Sequence, residues 1–92
     1  MSTQKAKRRR TTFEFYGNGV NSVSISGDFN QWDENSHAMK QVGDGLWRKS
    51  LMLYPGTYEY KFKVDDQWIN DPLNDKVCIN CFGSRNNIVD VA

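Results

Sequence analysis

Apolar and polar residues alternate in several short stretches of this chain. In the clearest stretch, from Tyr58 to Val64, aromatic and aliphatic side chains occupy every second position and charged side chains lie between them. Successive side chains of a β-strand point to opposite faces, so this alternation predicts a half-buried strand. Similar patterns predict strands over residues 11–16, 22–26, 46–53 and 87–91, with a short strand that holds Trp68 and Ile69.

The same alternation predicts which side chains face the protein core. In the second predicted strand we expect the serines, Ser22, Ser24 and Ser26, to point outward. The apolar positions between charged or polar ones are expected to point inward. This inward set is Phe13, Phe15, Val23, Ile25, Trp47, Leu51, Leu53, Tyr58, Tyr60, Phe62 and Val64.

Glycine, proline, asparagine and aspartate cluster between the predicted strands. These residues supply the backbone conformations that tight turns need. Residues 27–39 are too polar and irregular for a long element, so we expect a loop that carries Phe29 inward and Trp32 to the rim. No helical period of useful length, internal repeat or linker interrupts the pattern. Short strands joined by turns predict one antiparallel β-sandwich domain.

Four side chains outside the predicted core could form a binding surface. Trp32 and Trp68 each lie beside polar residues, a context that favours partial exposure over the core position usual for large aromatics. Lys61 lies between inward-facing aromatics and so points outward, and Asn86 begins an asparagine pair before the last strand. The ordinary structural explanations are a solvated lysine and a loop-capping amide. Exposed indoles, however, cover the apolar faces of pyranose rings, while lysine and amides bond their hydroxyls.

Three segments, residues 26–32, 58–62 and 82–87, resemble the glycogen- and starch-binding modules of carbohydrate-binding family 48. That family includes the glycogen-binding domain of the AMP-activated protein kinase beta subunit and the N-terminal early-set domains of isoamylase and branching enzymes. The resemblance covers about residues 12–92. It implies an all-β fold, an immunoglobulin-like early-set antiparallel β-sandwich.

The resemblance also implies roles for individual residues. The tryptophans stack on sugar rings, the lysine and asparagine bond hydroxyls with help from the serine, and the phenylalanine is an apolar wedge against the curved glucan. The implied carbohydrate-binding set is Trp32, Lys61, Trp68, Phe82, Ser84 and Asn86. Three residues depart from the pattern of the kinase module. Phe82 stands where leucine is usual, Ser84 where threonine is usual, and Asp66 where a turn glycine is usual.

Basic side chains concentrate near the N-terminus. Residues 1–10 hold five of the twelve basic side chains and no acidic one, so the remainder holds seven basic and eleven acidic side chains. A mildly acidic body is a poor platform for nucleic acid. We expect residues 1–10 to form a disordered tail and residues 11–92 to form the folded module. The alternative for the tail is contact with RNA, an anionic membrane surface or an acidic partner.

No long apolar run follows the basic residues. We therefore expect no secretory signal, no membrane span and a cytoplasmic location. Cys78 and Cys81 form a C-x-x-C pair, but His37 is the single histidine and no βαβ pattern surrounds the pair. Two reduced thiols are expected rather than a zinc or redox site. No phosphate-binding loop, nucleophile pattern or facing carboxylate pair is present, so we expect no catalytic residue, metal or cofactor.

These observations predict a non-catalytic module that binds α-1,4-glucans such as glycogen, starch or maltodextrin. The alternative is an early-set interaction or spacer domain, or a regulatory adaptor, that is associated with a glycoside hydrolase or kinase and does not itself bind sugar. Retention of Trp32, Trp68 and Lys61 favours sugar binding, because a spacer has no need of exposed indoles. A glycan-metabolising enzyme is the protein partner that we expect.

Overall fold

Eight β-strands make up most of the computed structural model, which describes residues 7–92. A short 3-10 helix, Asp28–Asn30, follows the second strand. The strands are β1 (Arg9–Tyr16), β2 (Val23–Gly27), β3 (Lys40–Gly43), β4 (Leu46–Leu53), β5 (Gly56–Val64), β6 (Gln67–Ile69), β7 (Val77–Ile79) and β8 (Arg85–Val91). The predicted all-β, antiparallel fold is confirmed.

Three strands form the first sheet, in the order β1-β4-β3. β1 pairs with β4 over its whole length, from Arg9 opposite Leu53 to Tyr16 opposite Leu46. β1 therefore begins two residues before the expected start and includes Arg9 and Arg10, which were expected in the tail. Residues 1–6 of that predicted tail lie outside the described residues.

The second sheet has the strand order β2-β5-β8-β7, and β6 also pairs with β5. β5 is its central strand. One side of β5 pairs with β2, while the other side pairs with β8 near Gly56 and with β6 near Val64. This double use of one edge brings β6 and β8 onto the same side of the sheet, next to the central strand.

The inner faces of the two sheets share one hydrophobic core, and aromatic rings join them. The ring of Phe13 in β1 lies 5.0 Å from that of Tyr60 in β5, and the ring of Phe15 lies 5.4 Å from that of Phe62. Trp47 is 7% exposed, as the alternation predicts. The buried core consists of Phe13, Phe15, Val23, Ile25, Met39, Trp47, Leu51, Leu53, Tyr60, Phe62, Val64 and Val91.

The hairpin between β5 and β6 turns through two aspartates. Asp65 and Asp66 have φ values of 45° and 69°. Two consecutive left-handed residues are the pattern of a type I′ turn, which suits a two-residue hairpin, and aspartate tolerates that region better than most residues. The Asp65 carboxylate accepts hydrogen bonds from the backbone N–H groups of Asn21 and Ser22, at 3.1 and 2.9 Å. These bonds hold the turn against the chain before β2.

Two polar residues differ in burial or position from the expectation. Ser26 lies opposite Lys61 and points to the outer face as expected, but it is 0% exposed, because the following loop covers it and its hydroxyl donates to the Asp33 carbonyl at 3.1 Å. The last strand begins at Arg85 rather than at Asn87, so Asn86 lies within β8 and not before it. Asn86 and Asn87 are 6% and 0% exposed. The Asn87 amide joins β8 to the preceding loop, since its oxygen accepts from the Asp71 N–H at 2.6 Å. None of residues 7–92 forms a helix with the length and apolar character needed to cross a membrane.

Candidate functional site

A groove of about 610 Å³ lies on the outer face of the five-stranded sheet. All six residues of the predicted carbohydrate-binding set line it: Trp32, Lys61, Trp68, Phe82, Ser84 and Asn86. Four residues that the sequence did not indicate also line it: Glu59, Ile79, Asn80 and Cys81. The structure thus gathers side chains from the 28–39 loop, from β5, β6 and β8, and from the β7–β8 hairpin at one place.

The floor of the groove follows from the period of β5. Tyr60 and Phe62 are buried in the core, so Glu59 and Lys61 project from the opposite face. Lys61 is half-buried, and its amine donates to the Ser84 hydroxyl at 3.3 Å. This places a cation, a hydroxyl and a carboxylate at the base of the groove.

Trp32 stands on a loop whose backbone is unusual for such large side chains. Gln31 and Trp32 both have left-handed φ values, 53° and 59°, which for residues other than glycine occur where surrounding contacts enforce them. The Trp32 N–H donates to the Gly27 carbonyl at 2.9 Å, and its indole Nε1 donates to the Asp28 carboxylate at 3.1 Å. The other oxygen of Asp28 accepts from the Glu59 N–H at 2.8 Å. Asp28 therefore ties the indole to β5.

Asn30 holds the base of the same loop. It is 7% exposed, its side-chain oxygen accepts from the Gly27 N–H at 3.0 Å, and its amide donates to the Ile25 carbonyl at 3.2 Å. Gly27 has no room for a side chain, since a Cβ there would lie 2.4 Å from the Glu59 carbonyl oxygen. Phe29, as expected, turns inward and packs against the core. Together these contacts present Trp32 at the groove.

The two indoles lie edge to face across the groove. Their ring centroids are 6.4 Å apart and their planes meet at 64°. Trp68 is 42% exposed and Trp32 is half-buried, which agrees with the partial exposure predicted from their polar neighbours. The site therefore offers two angled apolar surfaces rather than one flat platform.

The β7–β8 hairpin is organised by Asn80, which sequence reasoning missed. Its side-chain oxygen accepts from the backbone N–H groups of Phe82 and Ser84, at 2.9 and 3.1 Å. Its amide donates to the Ser84 hydroxyl at 2.7 Å and to the Asn86 side-chain oxygen at 3.1 Å. Phe82 at the tip is 89% exposed. The signal available was an asparagine just before a short glycine-containing loop, a common turn former.

Asn86 is bonded within the protein at both ends of its amide. Besides the bond from Asn80, its Nδ2 donates to the Glu59 carboxylate at 2.9 Å. Because the side chain is buried, these bonds fix the Glu59 carboxylate in the groove. Glu59 was missed because an outward charge on an alternating strand is the usual pattern of a solvated face.

Two cysteines lie in or beside the groove. Cys78 is half-buried and Cys81 is exposed in the groove, and both are free thiols. Burial raises the pKa of the Cys78 thiol, and the neighbouring Glu59 carboxylate raises it further, so the reactive thiolate is disfavoured. Within residues 7–92, no three His, Cys, Asp or Glu side chains are grouped as a metal site requires.

Comparison with known proteins places this chain in a family. The family model described as the glycogen recognition site of AMP-activated protein kinase matches residues 9–92. The chain is similar to the chloroplastic protein FLOURY ENDOSPERM 6 of Oryza sativa subsp. japonica, 38% identical over 82 residues, and to the chloroplastic PTST homolog 2 of Arabidopsis thaliana, 36% identical over 83 residues. It is also similar to the 5'-AMP-activated protein kinase subunit beta-2 of Mus musculus, 34% identical over 90 residues.

These matches cover nearly all of this chain but a small part of each relative. They span 89%, 90% and 98% of the chain, and 15%, 15% and 32% of the relatives' own length. All the groove residues fall within the span that the family model matches. The chain therefore belongs to the family of glycogen recognition domains of AMP-activated protein kinase.

Proposed function

We propose that this domain binds α-1,4-glucans, such as glycogen, starch or maltodextrin, and catalyses no reaction on them. The observation that carries the proposal is the pair of accessible indoles, 6.4 Å apart and inclined at 64°, in one groove. An α-1,4-linked chain curves, so successive glucose units present their apolar faces at different angles. Angled indoles therefore fit a curved α-1,4-linked chain better than they fit the flat ribbon of a β-1,4-linked chain. The description of the matching family supports the same ligand class.

Polar groups beside the indoles complete the recognition chemistry. The hydrogen bond from the Lys61 amine to the Ser84 hydroxyl is 3.3 Å long and therefore weak, so a sugar hydroxyl can replace it. The Glu59 carboxylate adds an acceptor that Asn86 holds in place. A sugar hydroxyl both donates and accepts hydrogen bonds, so it suits a groove that offers donors and acceptors. Phe82, exposed at the hairpin tip, supplies the apolar wedge against the curve of the glucan.

The single carboxylate among the described groove residues supports binding without hydrolysis. Glycosidases use two carboxyl groups that flank the scissile bond. Of the described residues that line the groove, Glu59 alone carries a carboxylate. The relatives named above include a subunit of a kinase, and none of the three is named as a glycan-cleaving enzyme. We therefore assign the groove to recognition.

A titration with maltoheptaose tests the proposal. The site is a shallow groove with two rings and a few polar groups, so we expect a Kd of roughly micromolar to millimolar. Isothermal titration should give heat, and amide NMR shifts should change around Trp32, Trp68 and Ser84. Cellohexaose, whose chain is flat and β-linked, is the control for linkage and should bind more weakly. Absence of heat and of shift changes at millimolar maltoheptaose would refute glucan binding and favour the spacer alternative.

We also propose that the whole protein uses this domain to bring an associated enzyme to glucan. Each relative named above is longer than the matched span, and the mouse relative is a kinase subunit by name. A glycan-metabolising enzyme or kinase is the partner class that follows. The expected cytoplasmic location stays a prediction, and fluorescence microscopy of the tagged protein would test it.

A further inference from the structure

Lys63 lies beside the groove without lining it. It projects from the same face of β5 as Lys61, and β6 places Trp68 directly opposite it. Its ammonium nitrogen lies over the Trp68 ring, 4.7 Å from the ring centroid. A cation at that distance over an indole face is attracted by the π electrons. One face of Trp68 is thus occupied by the protein.

The same ammonium group makes an ion pair with the tryptophan loop. Its distance to the Glu34 carboxylate is 2.6 Å, and the Lys63 side chain is 18% exposed. Glu34 follows Trp32 by two positions on the 28–39 loop. One lysine therefore connects the loop that carries Trp32 with the strand that carries Trp68. We name these three side chains, Glu34, Lys63 and Trp68, the lysine bridge.

We propose that the lysine bridge sets the angle between the two indoles and thereby the affinity of the groove for curved glucan. The proposal rests on the proposed function. Both indoles need such support, because Trp32 has a left-handed backbone on an irregular loop and Trp68 lies on a strand of three residues. Strand pairing alone fixes the Trp68 backbone, while the cation fixes the plane of its ring. Lys63 and Glu34 are positioning residues that do not touch the sugar.

Three substitutions test this role. Lys63→Met keeps an unbranched, largely apolar stem and removes the charge. We expect about three- to tenfold weaker binding of maltoheptaose, the range for losing a cation–π contact and a partly exposed ion pair. Glu34→Gln removes the ion pair and keeps the cation–π contact, so a smaller loss is expected. Lys63→Arg retains a cation of the kind that stacks on indoles and pairs with carboxylates, so it should recover most of the affinity that Lys63→Met loses.

A spectroscopic measurement reports the indole geometry without ligand. Two indoles this close couple their excited states and produce a paired positive and negative band in the far-ultraviolet circular dichroism spectrum. We expect this couplet to shrink in Lys63→Met and to return in Lys63→Arg. Lys76→Met and Glu14→Gln are matched controls, since they break the Lys76–Asp90 and Arg48–Glu14 ion pairs, none of whose residues lines the groove. Both controls should keep the couplet and the affinity.

The outcomes separate this inference from the proposed function. Wild-type affinity and couplet in folded Lys63→Met would overturn the inference and leave glucan binding intact. Weaker binding with an unchanged couplet would also overturn it, because Lys63 would then act by contact with the sugar. Failure of the wild-type chain to bind maltoheptaose would refute the proposed function. It would also refute the expected effect of the lysine bridge on affinity. Thermal melting confirms that each variant is folded, and Glu34→Gln on the exposed loop tests the same bridge if Lys63→Met unfolds.

Discussion

Replacement of Trp68 and of Trp47 by alanine distinguishes binding site from scaffold. Trp68 is 42% exposed at the groove, whereas Trp47 is 7% exposed between the sheets. An aromatic ring that anchors a ligand contributes about 1–3 kcal/mol on truncation, so Trp68→Ala should weaken maltoheptaose binding by about 5- to 150-fold. Trp47 does not line the groove, so Trp47→Ala protein that remains folded should keep its affinity for maltoheptaose.

For stability the order should be reversed, with the larger loss in Trp47→Ala and the smaller loss in Trp68→Ala. Loss of a large buried aromatic costs about 3–5 kcal/mol, so Trp47→Ala removes a large share of the 5–15 kcal/mol typical of a whole domain. Roughly half of the Trp68 surface is already accessible, and its partial burial corresponds to about 1–2 kcal/mol. Trp68→Ala should therefore remain folded, whereas Trp47→Ala should melt at a much lower temperature or unfold.

Urea denaturation and titration with maltoheptaose, run on the same preparations, measure both quantities. The reasoning requires that Trp68→Ala loses affinity more than stability and that Trp47→Ala does the reverse. Collapse of the fold in Trp68→Ala would place that indole in the structural core. Unchanged affinity in a folded Trp68→Ala would remove one of the two stacking surfaces on which the proposed function depends.

Two further predictions concern the loops around the groove. Asn80→Ala should weaken glucan binding by about 1–2 kcal/mol with little change in melting temperature, because it removes hydrogen bonds that order an exposed hairpin. Asn80→Asp, which keeps the acceptor oxygens for the backbone, should recover part of that loss in the same titration. Burial and then the charge of Lys49 lower the pKa of His37, so the folded state favours the neutral ring. Stability present at neutral pH should therefore fall as pH drops below the ordinary pKa of 6.5, and His37→Gln should give a flatter dependence of melting temperature on pH.

Strands with one buried face were readable from the sequence. β4 covers the predicted residues 46–53, and the β5 alternation correctly places Tyr60 and Phe62 in the core. β3 and β7 were missed because they show no such alternation. All four residues of β3 are exposed, and β7 carries apolar side chains at every position, two of them exposed. β3 and β7 are strands because they pair with β4 and β8. The local sequence pattern of a segment does not show which other strand it pairs with.

The candidate site was readable for a different reason. Trp32, Lys61, Trp68 and Asn86 stand out by residue type and context, and the family resemblance added Phe82 and Ser84. All six line one groove. Their bonding partners were not readable, because contacts such as Asn86 to Glu59 join residues far apart in the chain. A charged or amide side chain looks the same in sequence whether it is solvated or bonded.

The sequence by itself determined the all-β class, the alternating core of β4 and β5 and the chemical character of the groove, since strand period and side-chain chemistry are local properties. Tertiary structure alone decided that Ser26 is buried, that Asn80 orders a hairpin, and that Lys63 links two tryptophan-bearing segments. The physical reason is that burial and hydrogen bonding depend on which distant segment covers a side chain. The angle between Trp32 and Trp68, the feature that carries the proposed function, arises only when the loop and β6 meet over β5.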